Sequence, residues 1–122
     1  MKNDILKNHF LHPYNVGIVE NYDHKIIVKS DQCNDVITFT VTITHNTIDD
    51  IKFEAYGCGY AIAGASLVSD AVKGKDIDLG IRDVEEMLNT ITIPDSNLRC
   101  IHLSLKAIKQ LKDNLIAHGH TA

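Results

Sequence analysis

Tryptophan is absent from this 122-residue chain, which carries only two prolines, two methionines and three cysteines. So little proline and glycine excludes a collagen-like or proline-rich low-complexity chain. Three widely spread cysteines, an odd number with no C-x-x-C pair, exclude a disulfide framework and the commonest zinc-finger spacings. Excess positive charge is missing too. The formal net charge is -4 and the basic residues are scattered, which argues against nucleic acid as a partner. No apolar run approaches membrane-spanning length, and the N-terminal MKNDILKNHF has polar breaks where a signal peptide would have an apolar core. A cytoplasmic, reducing location is expected, with no membrane partner. What remains is 44% hydrophobic and 23% charged, long enough for one domain over residues 1–122 with its own core.

The periodicities predict strands first and helices afterwards. Residues 3–11 form a short helix, closed by Pro13 and Gly17. Lys25–Lys29 is β-rich. Val36–Thr44, VITFTVTIT, alternates strictly, with Ile37, Phe39, Val41 and Ile43 on one face and threonines on the other. His45-Asn46 makes a tight turn into Thr47–Tyr56, where Ile51, Phe53 and Ala55 again repeat at period two. After Gly59 the spacing becomes helical until Gly74. Two short helical pieces follow around Ile77–Gly80 and Arg82–Thr90. A stripe of Leu98, Ile101, Leu105, Ile108, Leu111 and Leu115 then marks a long helix to about His118. The expected class is α+β: a three-stranded antiparallel sheet with one solvated face and helices packed on the other.

Each cysteine falls at a junction. Cys33 is in the loop SDQCND between two strands, and Cys58 lies between glycines where the last strand meets the first long helix. Cys100 is placed in the first turn of the last helix, which Asp95 or Ser96 caps. Helix N-terminal amides favour thiolate, which would activate both Cys58 and Cys100. A free cysteine is often core filler. Three at junctions, one followed two residues later by Asp35, instead suggest a four-ligand site of three thiolates and a carboxylate. Thiolates suit iron–sulfur clusters and also Zn²⁺. The histidines His9, His12, His24, His45 and His102 show no ligand spacing and read as surface residues, and His118 and His120 as a metal-friendly tail.

In order and spacing, QCNDV, YGCGYAIAGASLVSDAVKGK and LRCIHLSLKAIK, preceded by HPYNVG, resemble the U-type iron–sulfur cluster scaffold family, the IscU and NifU N-terminal proteins. The resemblance covers nearly the whole chain and implies an IscU/SufE-like fold. It implies that Cys33, Cys58 and Cys100 hold a transient [2Fe-2S] cluster with Asp35, with Zn²⁺ as an occupant of the purified protein. The implied partners are a cysteine desulfurase, an iron donor and apo iron–sulfur acceptor proteins. The role is a platform and not an enzyme, with Cys100 as first and Cys58 as second sulfur acceptor. The alternative is a zinc-bound SufU-like protein that stimulates a desulfurase, against which stands the missing insertion between the second and third cysteines. Three departures stand out. Asn34 replaces the glycine between Cys33 and Asp35, IPDSN replaces the Hsp70-type chaperone motif Leu-Pro-Pro-Val-Lys, and Arg99 replaces a histidine. Chaperone binding is accordingly expected to be weak. Arg99 either pairs with Asp35 in the metal-free state or faces solvent.

Overall fold

A computed structural model describes residues 4–30, 34–93 and 95–117, with side chains at 95 and 96 excepted. The elements run α1 (Asp4–Leu11), β1 (His24–Lys29), β2 (Val36–Thr44), β3 (Thr47–Tyr56), α2 (Gly59–Val72), α3 (Ile77–Thr90) and α4 (Asp95–Ala117). The strands form one antiparallel sheet in the order β1-β2-β3. The turn between β2 and β3 uses positive φ at both His45 (50°) and Asn46 (63°), the geometry whose twist matches flanking strands.

Alternation puts Ile26, Val28, Ile37, Phe39, Val41, Ile51 and Phe53 on the core face, all buried. A register shift at Thr42/Ile43 adds a residue to β3 and lets Ile48 and Ile51 face inward together. α2 packs over β3 and α4 over β1, closing the core. The small residues of α2 serve this packing. A Cβ on Gly64 would come within 2.9 Å of the Ile101 Cα, so glycine lets α2 and α4 approach closely.

The second face of the sheet departs from expectation. Thr40, on the polar side of the alternation, is only 2% exposed. The segment after α1 crosses that face. Gly17 N–H donates to Phe53 O and Phe53 N–H to Asn15 O at the edge of β3 (both 2.8 Å), and Val19 N–H donates to Thr40 Oγ1 at 2.8 Å. The crossing also covers an edge that would otherwise be open to strand addition.

Two helix readings are corrected. Ile77–Thr90 is one continuous helix, not two pieces, started by Asp76, whose carboxylate accepts from the amides of Asp78 and Leu79. Gly80 does not break it. It sits where a Cβ would meet Val72 Cγ1 at 3.0 Å, so its small size serves packing. α4 begins at Asp95, three residues before its apolar stripe, while a cap by the Asp95 or Ser96 side chain lies outside the described residues, as do His118 and His120.

Candidate metal and cluster site

Three elements bring their ends together: the start of β2, the N-terminus of α2 and the second turn of α4. Asp35 stands one residue before β2 and is fully buried. The chain reaches it through Asn34, whose φ of 57° is the left-handed conformation asparagine tolerates in place of glycine. Ser30 N–H donates to Asp35 O at 2.9 Å, drawing the two ends of the β1–β2 loop together. Cys33 lies outside the described residues.

Cys58 is the N-cap of α2, and its side chain makes no capping bond. Its carbonyl accepts from Ala61 and Ile62, while its own N–H donates to Asp35 Oδ1 at 3.0 Å. The carboxylate thus sits at the positive end of a 14-residue helix, which helps offset the cost of burying it. Gly57 makes the approach possible. Its φ is 147°, and a Cβ there would stand 2.0 Å from Asp35 Oδ1. The glycine before Cys58 is therefore a seat for Asp35, a role that only the folded chain reveals.

The second carboxylate oxygen, Oδ2, lies 3.7 Å from Sγ of Cys58, an exposed residue. Cys100 Sγ closes the triangle: one donor atom from each of Asp35, Cys58 and Cys100 lies within 4.8 Å of the others. That spacing and two soft sulfurs fit a thiophilic metal or an iron–sulfur cluster. Asp35, Cys58 and Cys100 are therefore brought together in space.

The expected activation of Cys100 is not. α4 starts at Asp95, so Cys100 is past the first turn, where amides are already engaged in intrahelical bonds. It is 4% exposed. Burial pushes its thiol well above the ordinary range, and hydrogen bonds and charge from Cys58 and Asp35 push it further. Arg99, one residue before Cys100, is exposed on α4.

His9 is a residue the sequence reading missed. Its Nδ1 lies 2.7 Å from Ser66 Oγ, and Ser66 Oγ also accepts from Tyr14 N–H at 2.9 Å, so α1 is pinned to α2. The ring meets Tyr14 edge-on at 5.3 Å. Partial burial lowers the pKa of His9, while Asp70 opposes the shift. One histidine on a short helix carries no spacing signal, so only the contact identifies it.

The NifU-like N terminal domain family model matches residues 1–115. The iron–sulfur cluster assembly scaffold protein IscU of Aquifex aeolicus is 32% identical over 124 residues, covering 96% of this chain and 78% of that protein. The protein of the same name from Escherichia coli K12 is 33% identical over 111 residues, covering 84% of each. Among solved structures, a putative iron–sulfur cluster assembly scaffold for a SUF system from Fervidobacterium islandicum superposes with a TM-score of 0.72 at 17% identity, covering 88% of this chain and 93% of that one. A NifU-like N-terminal protein from Brucella abortus does so with 0.61 at 18% identity, covering 98% and 83%. At such identities the two structures speak for the fold, a three-stranded antiparallel sheet with helices. With a family match over almost its full length and relatives a third identical, this chain belongs to the NifU-like N-terminal domain family.

Proposed function

We propose that residues 1–122 form a single scaffold domain on which an iron–sulfur cluster is assembled and from which it passes to acceptor proteins. The observation that carries the reading is the convergence of Asp35, Cys58 and Cys100 at the meeting point of three elements. Cys33, two residues before Asp35 in the sequence, supplies the fourth ligand of a [2Fe-2S] cluster. Zn²⁺ takes the same S₃O donors when iron and sulfide are absent.

Sulfur would come from a cysteine desulfurase persulfide. A scaffold thiolate attacks its outer sulfur, and the desulfurase cysteine leaves as a thiolate. Two electrons from a separate donor then reduce that sulfur to sulfide as iron arrives. The open position of Cys58 supports it as the thiol that first meets a partner, ahead of the buried Cys100. Asp35 contributes a harder ligand, already hydrogen-bonded through Oδ1, that exchanges more readily than a thiolate. The chain acts as a platform without turnover. Among the described residues no helix is long and apolar enough to cross a membrane.

Anaerobic reconstitution with iron and sulfide tests this. A cluster chromophore is expected in the parent chain, and its loss in each of Cys33→Ser, Cys58→Ser and Cys100→Ser. A variant keeping full cluster absorbance and full zinc stoichiometry would remove that cysteine from the ligand set. Tight zinc with no cluster would instead favour the SufU-like sulfur-transfer role.

A further inference from the structure

Ser104 Oγ is, among the described residues, the only buried side-chain nitrogen or oxygen atom without a hydrogen-bond partner. The residue is fully buried, on α4, one turn beyond Cys100. Buried hydroxyls are ordinarily satisfied, and a serine inside a helix usually returns its hydroxyl to the carbonyl four residues back. Here that carbonyl belongs to Cys100, and Ser104 leaves it alone. Positions four apart on a helix differ by roughly 40° in direction, with Cβ atoms about 6 Å apart. Helical side chains lean toward the N-terminus, so Ser104 lies over the turn that carries Cys100, and its hydroxyl, which makes no bond in the metal-free chain, reaches that sulfur by rotating about its own side-chain bond.

Resting on the scaffold reading, we propose that Ser104 is a positioning residue whose hydroxyl donates to the Cys100 sulfur once that sulfur is a metal- or cluster-bound thiolate. A neutral thiol is a weak acceptor, whereas a metal-bound thiolate is a strong one. The orphan hydroxyl burdens the metal-free chain and is satisfied on loading. One side chain then favours the loaded state twice, by destabilising the empty site and by holding the sulfur in place. Hydrogen bonds to ligating sulfur also tune cluster properties.

The test compares the parent chain, Ser104→Ala and Ser104→Thr, using Co²⁺ as the probe. Removing an unsatisfied hydroxyl should raise the melting temperature of metal-free Ser104→Ala by about 2–6 °C. The same change should weaken Co²⁺ affinity about 10-fold. Its sulfur-to-cobalt charge-transfer band should move to longer wavelength, as expected when a thiolate loses a donor. Ser104→Thr should restore band and affinity. Unchanged affinity with an unmoved band, a lower melting temperature for Ser104→Ala, or a Thr variant that behaves like Ala would each overturn the proposal. Absence of the band in the parent chain would overturn the metal site itself, a separable result.

Discussion

Replacing Gly57 with alanine probes the link between backbone conformation and site geometry. At φ 147° an L-residue enters a region essentially reserved for glycine, which costs about 1–3 kcal/mol. The new methyl would also stand 2.0 Å from Asp35 Oδ1, 2.6 Å from its Cγ and 2.9 Å from its Cβ. No rotation of a fully buried side chain clears all three atoms, so the carboxylate must leave. Its bond to Cys58 N–H then goes as well, and a hydrogen bond to a charged group contributes about 1.5–3 kcal/mol. Together these give a loss of about 3–5 kcal/mol, a large part of ordinary domain stability. Urea denaturation of the metal-free chain reads this directly. The melting temperature should fall by about 12–20 °C. Much of the penalty is a clash with Asp35, so Gly57→Ala should cost about 1.5–3 kcal/mol less in an Asp35→Ala background. A single variant within about 1 kcal/mol of the parent, or an additive double-mutant cycle, would show that Gly57 is not the seat of Asp35.

Asp35→Ala should slow cluster transfer to an apo-ferredoxin while lowering metal-free stability by about 1.5–3 kcal/mol, since the same carboxylate holds Cys58 N–H. Faster cluster loss would assign Asp35 to loop capping alone. The raised thiol of Cys100 predicts alkaline sensitivity in the metal-free chain. The unfolded thiol titrates near its ordinary value of 9.0 and the folded one well above it, so this stability is whole below that pH and declines as pH rises beyond it. Urea midpoints between pH 7.5 and 10.5 should show the decline, and Cys100→Ser should flatten it. A peptide spanning Thr92–Leu98 should bind an Hsp70-type chaperone more weakly than a Leu-Pro-Pro-Val-Lys peptide, because Pro94 is its sole proline and Asn97 stands in the lysine's place. Equal affinities in a fluorescence titration would contradict this.

Short-range patterns determined much of this protein by themselves. The alternation of VITFTVTIT places Ile37, Phe39 and Val41 inside whatever packs above them, and His45-Asn46 sets a hairpin because both accept positive φ. The apolar stripe of α4 and the motifs around Cys33, Cys58 and Cys100 were legible for the same reason. They are local or ordered along the chain. Contacts between distant segments were decided only in three dimensions. Thr40 is buried because Val19 crosses above it, and Gly80 suits the interior of α3 because a Cβ there would crowd Val72. His9 finds Ser66 fifty-seven residues away. The burial of Cys100 and the seat that Gly57 makes for Asp35 belong to this second group. A local motif names the atoms a site can use, whereas their burial and spacing depend on which surfaces the core brings face to face.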